Sequence, residues 1–225
     1  MLDAWLRPGM AMVFDIDGVI VDSNPLHVKA WKLYKSRFGI DAGEALAESM
    51  YGRRNDEIVP EFFGPGLSAE EVAAHGAAKE RLYRGMLEPR LEETLVPGVR
   101  DLLRRHAGQP VGLATNAEPA NVDFILDGGG LRAYFRVVVD GHQVQHPKPH
   151  PEIYLRAAGL LSVAPRNCIV FEDSFSGVAA ARAAGARIVG LRTTHPELPG
   201  ADLEIDDFRG PQLAPWLRAQ VPEAS

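Results

Sequence analysis

Residues 10–19 read MAMVFDIDGV, an apolar run of strand length that ends directly in two acids and a glycine. Five apolar residues without a charge, bounded by a turn signal, indicate a buried β-strand. Asp15 and Asp17 are two positions apart, so on an extended chain both carboxylates lie on one face, and Gly18 permits the sharp turn that follows. The pair is suited to meeting one ligand, although a plain Asp-Gly turn explains a lone Asp-x-Asp about equally well.

Other apolar runs and the helix-like stretches between them extend this pattern along the chain. Further runs of strand length occupy 111–114, 135–139, 168–171 and 187–191. Helical patterns near Gly or Pro punctuation occupy 99–106, 119–127, 151–158 and 176–184. Strands that alternate with helices are typical of a parallel sheet, so we predict an α/β fold with a doubly wound parallel sheet. The tail at 211–225 is expected to be only partly ordered.

A long insertion separates the first two predicted strands. The first ends at residue 14 and the second begins at residue 111, whereas a crossover between parallel strands needs only about 12 residues. Much of the insertion is rich in helix formers with amphipathic spacing, such as Ala30, Leu33 and Tyr34. The insertion is therefore predicted to be a small helical cap.

These features predict two domains. Residues 1–21 and 94–225 form the α/β core domain, and residues 22–93 form the helical cap domain. The linkers between the two are expected near 22–24 and 88–97.

Composition excludes several classes of function. The 225 residues are 46% apolar and 24% charged, and the net charge is -6. This acidic balance does not favour nucleic acid or an anionic membrane as a partner. The single cysteine, Cys168, excludes an intrachain disulfide, and the sequence has neither signal-peptide features nor an apolar segment of spanning length. We expect a cytoplasmic protein, a monomer or weak homo-oligomer, that acts on a small molecule.

Residues that follow the apolar runs are the best candidates for chemistry, because open α/β sheets bind ligands beyond the carboxyl ends of their strands. Thr115 and Asn116 follow the second run, and Lys148 lies between two prolines after the third. Glu172 and Asp173 follow the fourth run and offer the hard oxygen ligands that suit Mg²⁺. Taken singly, each motif has a plainer explanation: helix capping for the hydroxyl and the acids, and an exposed charge for the lysine.

Together these motifs resemble those of the haloacid dehalogenase-like superfamily, whose Rossmann-like core carries the same four features. They are Asp15-Ile16-Asp17-Gly18-Val19, Thr115-Asn116, Lys148-Pro149 and Glu172-Asp173. The resemblance covers nearly the whole chain. The Asp-x-Asp form and the helical insertion after it resemble the branch of phosphatases and β-phosphoglucomutases with a small cap.

The resemblance implies a Mg²⁺-dependent phosphatase acting on a small phosphorylated metabolite, such as a sugar phosphate. Asp15 would attack phosphorus to give an aspartyl-phosphate, and Asp17 would act as general acid and base. Thr115 and Lys148 would hold the phosphoryl oxygens. The metal would be held by Asp15, the backbone carbonyl of Asp17, Asp173 and, directly or through water, Glu172.

Residues of the insertion, together with Asn116, are expected to meet the remainder of the substrate. They are His27, Arg53, Arg54, Asn55 and Lys79. Exposed or packed side chains without a ligand are an equally good explanation for most of them.

The nearest rival to a phosphatase is a β-phosphoglucomutase, which must also hold a second phosphate. That mutase has a Ser-Lys-Asn run where this chain has Ala117-Glu118-Pro119, and Glu118 would repel the second phosphate. The mutase arginine three residues after a loop glycine is here Asn55, counted from Gly52. The phosphatase is therefore favoured.

Two other functional classes and two motifs fit less well. A receiver-like signalling domain phosphorylated on Asp140, or a non-catalytic binding module, would not need the long insertion and the complete set of motifs. A metal site of His142, His146 and His150 is not expected, because prolines prevent a helix that would align them. The run of three glycines at 128–130 is interpreted as a helix stop.

Overall fold

The computed structural model describes residues 4–41, 43, 46 and 50–223, and its centre is a six-stranded sheet with all strands parallel. The strands are β1 (Ala11–Phe14), β2 (Val111–Ala114), β3 (Val137–Val139), β4 (Cys168–Glu172), β5 (Arg187–Leu191) and β6 (Leu203–Ile205). Their order across the sheet is β3-β2-β1-β4-β5-β6. The order reverses direction at β1, so β1 and its neighbours lie where such sheets bind ligands.

Nine α-helices are assigned in the described part of the chain. They are α1 (Asn24–Ser36), α2 (Asn55–Phe63), α3 (Ala69–Leu87), α4 (Leu91–Thr94), α5 (Val99–Arg105), α6 (Pro119–Gly128), α7 (Glu152–Leu161), α8 (Phe175–Ala183) and α9 (Leu213–Ala219). Short 3-10 turns occur at Glu88–Arg90, Arg132–Tyr134, Gly141–Gln143 and Pro165–Asn167. The four helices predicted after residue 97 are α5 to α8, and α6 stops at the run of glycines.

The sheet is buried on both faces, as the continuous apolar run of β1 predicts. Phe14 packs on one face, where its ring stacks on that of Phe171 at 4.5 Å between centroids. Val13 points to the other face, into a cluster that includes Tyr154 and Val178 of α7 and α8. Helices cover both faces, so the predicted doubly wound α/β fold is confirmed.

The insertion between β1 and β2 contains α1, α2 and α3 with an apolar cluster of their own. Trp31, Tyr34, Ile58 and Val59 are the centre of this cluster. Residues 42, 44, 45 and 47–49 of the predicted cap lie outside the described residues. The domain boundary at 22–93 stays a prediction.

The two chain segments that connect the insertion to the sheet lie side by side. The backbone N–H of Asp22 donates to the carbonyl of Thr94 at 2.8 Å, and that of Val96 donates to Ile20 at 3.0 Å. Val21 and Leu95 form an antiparallel bridge between the segments. The predicted linkers near 22–24 and 88–97 thus meet as a short paired strip. Helix α1 begins at the last residue of the first linker, and α4 lies within the second.

The sequence prediction differs from the structure at three places. The third strand begins at Val137 because Phe135 ends a 3-10 turn instead. The edge strand β6 was not predicted, since its three residues form no apolar run. The tail is more ordered than predicted up to residue 219, because α9 buries Leu213 and Leu217 against the core; residues 224–225 lie outside the described residues.

No helix in the described part of the chain has both the length and the apolar character to cross a bilayer.

Candidate active site

A buried lysine lies between two acids at the carboxyl edge of the sheet. Lys148 Nζ is 3.0 Å from Asp15 Oδ1 and 2.6 Å from Glu172 Oε1, and it also donates to the carbonyl of Ala114 at 3.1 Å. Only 3% of Lys148 is exposed, so the alternative of a solvated surface charge is wrong. The two carboxylates outweigh the effect of burial and raise the pKa of Lys148, which keeps it charged.

Glu172, at the end of β4, anchors this lysine. Its Oε1 accepts hydrogen bonds from Lys148 and from the Tyr154 hydroxyl, and its Oε2 accepts from the N–H groups of Asp173 at 3.0 Å and Ser174 at 3.3 Å. Gly177 is required beside it, because a Cβ there would lie 1.9 Å from the carboxyl carbon of Glu172. Glu172 is thus fully buried, with protein donors on both oxygens.

Asp173 is the second buried acid after β4. Its Oδ2 accepts hydrogen bonds from Asn24 Nδ2 at 2.9 Å and from the Thr194 hydroxyl. Gly18 has φ +72° and approaches so closely that a Cβ would lie 1.9 Å from Asp173 Oδ2. Burial, with repulsion from Glu172 and Asp15, raises the pKa of Asp173 well above its usual range.

Asp15 also lies close to other negatively charged side chains, Glu172 and Asp17. Burial raises the pKa of Asp15 to about 7, with Lys148 opposing the shift and Glu172 and Asp17 adding to it. Asp15 Oδ1 has no hydrogen-bond donor in acceptable geometry among the described residues, although Lys148 is near. Oxygens of Asp15, Glu172 and Asp173 lie within 4.8 Å of one another. Clustered carboxylates with too little positive charge suit a divalent cation.

Asp17 lies in different surroundings, although it is two residues from Asp15. Its Oδ1 accepts from Ser23 Oγ at 2.6 Å and lies 3.1 Å from His27 Nε2, with the Tyr83 hydroxyl at 3.4 Å. Burial alone would raise the pKa of Asp17, but His27 and Ser23 outweigh it and lower the pKa. The two acids are therefore held in opposite electrostatic environments.

His27 connects Asp17 to a buried ion pair. Lys79 Nζ lies 2.7 Å from His27 Nδ1 and 2.8 Å from Glu80 Oε1. An ammonium group only donates, so Nδ1 accepts and Nε2 of His27 donates to Asp17. Lys79 is 2% exposed, and Asn121 donates to Glu80 Oε2 at 2.8 Å. Lys79 therefore lies inside the protein rather than on a solvated helix face.

Thr115 and Asn116 also lie at this edge, but they do not cap the next helix. Thr115 is buried and its hydroxyl accepts from the N–H of Ala117 at 3.2 Å. Asn116 Nδ2 donates to the carbonyl of Gly52 at 2.8 Å. Helix α6 begins at Pro119 without a side-chain cap, so the capping explanation is wrong here. In the Glu172-Asp173 motif, the helix cap of α8 is Ser174, so Asp173 does not cap the helix.

The predicted residues of the insertion lie at the same edge of the sheet as the strand-end residues. Arg53 pairs with Glu61, and Arg54 donates to the Gly141 carbonyl at 2.9 Å; Asn55 lies beside them. Eleven of the twelve predicted site residues line one cavity of about 570 Å³, and Glu172 lies behind it. The structure thus brings together nearly the whole predicted set. A volume of this size is typical of a small-molecule site.

Two of the three histidines that were not expected to form a metal site lie close together. The rings of His146 and His150 have centroids 4.6 Å apart, and ligand atoms of both lie within 4.8 Å of each other and of Glu152. The prolines prevent a helix here, as predicted, but a turn brings the two histidine side chains together instead. His142 is not in this group and lines the cavity.

Several residues that hold the site were not predicted, among them Ser23, Asn24, Thr194 and Tyr154. Ser23 and Asn24 lie in the predicted linker, and Thr194 and Tyr154 hold Asp173 and Glu172. Thr194 follows β5, so the rule applied to the other strands would have found it. Tyr154 is on α7, where the helical pattern only indicates burial.

Comparison with known proteins agrees with this geometry. A family model described as haloacid dehalogenase-like hydrolase matches residues 10–185. The chain belongs to this family. Its resemblance in sequence is therefore confirmed, and so is its class as a hydrolase.

Relatives within the haloacid dehalogenase-like family include phosphatases and a mutase. Fructose-1-phosphate phosphatase of Escherichia coli is 33% identical over 80% of this chain and 95% of its own length. β-Phosphoglucomutase of Bacillus subtilis is 30% identical over 87% of this chain and 88% of its own. The crystal structure of β-phosphoglucomutase from Clostridium difficile superimposes with a TM-score of 0.77 at 28% identity and covers 92% of each chain.

Proposed function

We propose that this hydrolase is a Mg²⁺-dependent phosphatase that cleaves a small phosphorylated carbohydrate through an aspartyl-phosphate on Asp15. The observation that carries the proposal is the placement of Asp15 Oδ1, which lies 3.0 Å from Lys148 Nζ but forms no hydrogen bond of good geometry with the described residues. A carboxylate with a lone pair free and a fixed cation beside it is suited to attack a phosphoryl group. The names of the relatives support the substrate class.

In the first step an oxygen of Asp15 forms a bond to phosphorus while the ester P–O bond breaks. Asp17 gives its proton to the departing oxygen, which leaves as an alcohol. The pKa of Asp17 is lowered in the substrate-free protein, so we infer that Asp17 takes up this proton as the negative phosphoryl group arrives and raises its proton affinity. Asp17 then accepts a proton from the water that hydrolyses the aspartyl-phosphate and regenerates Asp15.

Lys148 and Thr115 would hold the phosphoryl oxygens, with Asn116 beside them. The position of Lys148 depends on Glu172, which holds it from the side away from the cavity at 2.6 Å. A fixed cation aimed at the developing charge needs no reorganisation during reaction.

The residues suited to hold Mg²⁺ are Asp15, Asp173 and the backbone carbonyl of Asp17. Glu172 already accepts protein hydrogen bonds on both oxygens, so we assign it a contribution through water or through Lys148. When bound, the ion would relieve the repulsion between the Asp15 carboxylate and the phosphate.

The test is phosphate release from a panel of phosphorylated sugars and sugar alcohols with Mg²⁺ present, run beside an isomerisation assay on β-glucose 1-phosphate. The Asp15→Asn protein, prepared in parallel, gives the background. Mg²⁺-dependent phosphate release without isomerisation supports the phosphatase. Isomerisation that outpaces phosphate release would replace it with the mutase, and release equal to background on every ester would contradict both.

A further inference from the structure

We propose that the site takes the monophosphate of an uncharged, polyhydroxylated compound, and that Glu118 binds its hydroxyl groups and rejects a second phosphate. This inference rests on the proposed function and narrows its substrate class. It is carried by the charges that line the cavity.

Every lysine and arginine that lines the cavity in the described part of the chain forms an ion pair with a carboxylate. Six carboxylates line the cavity against four such cations in the described part of the chain. The pairs are Lys148 with Asp15 and Glu172, Lys79 with Glu80, Arg53 with Glu61, and Arg54 with Asp56. A divalent cation at the buried acids would serve the phosphate that reacts. A second phosphate would have to compete with an existing carboxylate for any of these cations. Breaking the buried pairs of Lys148 and Lys79 is costly, whereas the pairs of Arg53 and Arg54 have exposed acids and oppose it less.

Glu118 adds a negative charge that no lysine or arginine of the described chain neutralises. Its Oε1 accepts from Asn55 Nδ2 at 2.7 Å, and the same Nδ2 donates to Glu80 at 2.8 Å. Both amide hydrogens of Asn55 are thus used, which fixes the position of Glu118. No donor among the described residues bonds the other oxygen of Glu118, Oε2, and Glu118 lines the cavity.

The chemistry of Glu118 selects hydroxyl groups. A carboxylate accepts hydrogen bonds from neighbouring hydroxyls but repels a phosphate at short range. Helix α3 closes over this point, because a Cβ on Gly76 would lie 3.1 Å from Asn55 Cβ and 3.4 Å from Glu118 Oε1. A ligand group in contact with Glu118 would therefore lie beside α3 at a half-buried carboxylate, where charge repulsion is less screened than between fully exposed groups.

The experiment compares kcat/KM for a hexose 6-phosphate with that for the matching 1,6-bisphosphate. The proteins are the wild type, Glu118→Gln, Glu118→Lys and the control Glu70→Gln, which removes an exposed charge from α3. The wild type should prefer the monophosphate. Glu118→Gln should narrow the preference by roughly tenfold and Glu118→Lys further, since like-charge repulsion is lost and then reversed. Glu70→Gln should leave the ratio unchanged.

Calorimetric binding of both esters separates this inference from the proposed function. If the wild type binds the monophosphate more tightly but hydrolyses neither ester, the phosphatase fails and the inferred recognition stands. Equal preference for the two esters in the wild type overturns the inference. A ratio of kcat/KM between the two esters that stays at the wild-type value in both Glu118 variants overturns it as well. Circular dichroism checks that each variant is folded.

A separate observation supports a second proposal: we infer a transition-metal site formed by His146, His150 and Glu152. Their ligand atoms lie within 4.8 Å of one another, and His146 Nδ1 is 3.0 Å from Glu152 Oε2. Glu152 also accepts the N–H groups of Gln145 at 2.9 Å and His146 at 3.0 Å, which holds the turn in place. Two imidazoles and one carboxylate are a donor set for Zn²⁺ or Ni²⁺, with water completing the coordination.

Calorimetric titration of the chelator-treated protein with Zn²⁺ tests this site, with excess Mg²⁺ to occupy the buried acids. His150→Ala and Glu152→Gln should each weaken Zn²⁺ binding by roughly tenfold or more, because each removes one of three ligands. His142→Ala, outside the cluster, and Asp173→Asn, at the buried acids, should leave this binding unchanged. Absence of Zn²⁺ binding, or equal binding in His150→Ala and the wild type, would contradict the site.

Discussion

Asp15 and Asp17 are two residues apart on one strand end, yet their neighbours drive their proton affinities in opposite directions. Burial raises the pKa of Asp15 to about 7, whereas His27 and Ser23 lower that of Asp17 against the effect of burial. Sequence spacing alone cannot assign different roles to two identical side chains. The surroundings can, because a nucleophile and a proton carrier need different environments.

Asp15→Asn tests the nucleophile with almost no change in shape. We expect phosphate release to fall by more than about a hundredfold, because an amide cannot form the acyl-phosphate and binds a cation poorly. The measurement is kcat on the best ester, with Asp140→Asn as the control. Asp140 is an acid of the same edge whose carboxylate only holds its own turn through His142 and Gln143. Retention of more than about a hundredth of wild-type turnover would remove Asp15 from this role.

Asp173→Asn should make the metal-free protein more stable and the enzyme inactive. Burial, Glu172 and Asp15 all raise the pKa of Asp173, so a neutral isostere relieves repulsion and should raise the free energy of unfolding by about 1 kcal/mol. The wild type should gain stability from Mg²⁺ through binding, and the variant should not. Thermal unfolding with chelator and with Mg²⁺ measures both effects.

The opposite pattern would count against a metal at this acid. A variant that Mg²⁺ stabilises as much as the wild type places the ion elsewhere. Ser174→Ala, which removes the α8 cap instead, should lose stability with and without Mg²⁺.

At the scale of elements, the buried residue His106 directly follows α5 and holds the N-terminal segment. The N–H of Trp5 donates to His106 Nε2 at 3.1 Å, so Nε2 is the acceptor and Nδ1 carries the hydrogen that bonds the Leu102 carbonyl at 2.8 Å. A second proton would face the Trp5 N–H and break that bond. Burial, with Arg105 nearby, keeps the pKa of His106 below its usual value.

This histidine should make the protein lose stability in mild acid. The pKa of His106 is lower in the folded than in the unfolded chain, so the unfolded state binds the proton first and stability falls as pH falls below about 6.5. His106→Gln should lower the free energy of unfolding by about 1–3 kcal/mol at neutral pH, through lost buried hydrogen bonds. Its deficit should shrink as pH falls from about 7.5 to about 5.5. Denaturant unfolding at each pH measures this, and a deficit that grows on acidification would contradict it.

The sequence predicts those elements that bury a continuous apolar face. Strands β1, β2, β4 and β5 are predicted because their runs are apolar and bounded by turns. The residues after β1, β3 and β4 include Asp15, Lys148 and Asp173. β6 was missed because the three residues of LEI alternate but are too few to establish a strand pattern. The burial of Lys79 was out of reach, since it depends on Glu80 and His27 meeting across two helices, and local pattern does not encode that contact.

At the scale of the whole molecule, polar contacts join the inserted helices to the sheet around the cavity. Asn116 donates to Gly52 at 2.8 Å, and Arg54 donates to Gly141 at 2.9 Å. Apolar contacts join them as well, because Leu26, Tyr83 and Leu87 of the inserted helices belong to the same buried cluster as Phe14 of the sheet. The cavity is thus lined both by the inserted helices and by residues at the strand ends.

The lining of the cavity predicts that the inserted helices, together with Glu118 in the segment after β2, choose the substrate. The phosphate-binding residues at the strand ends, such as Asp15 and Lys148, are expected to contact only the phosphoryl group and its metal, which every phosphate ester shares, so discrimination must come from surfaces that meet the rest of the molecule. Arg54→Ala and Asn55→Ala should therefore change the ranking of esters by kcat/KM. Lys79→Ala is a poor probe, because it would leave Glu80 buried without its cation and destabilise the fold by about 3–5 kcal/mol.

The ranking should be measured as kcat/KM on several sugar and sugar-alcohol phosphates, because a ratio between substrates cancels any loss of active enzyme. Arg90→Ala, an exposed change beyond the end of α3, is the matched control and should keep the wild-type order. A variant that acts on the phosphoryl step alone would lower every value by one factor. Proportional losses on all esters in both Arg54→Ala and Asn55→Ala would therefore show that selection lies with the strand ends, since only a surface that contacts the rest of the substrate can change the order.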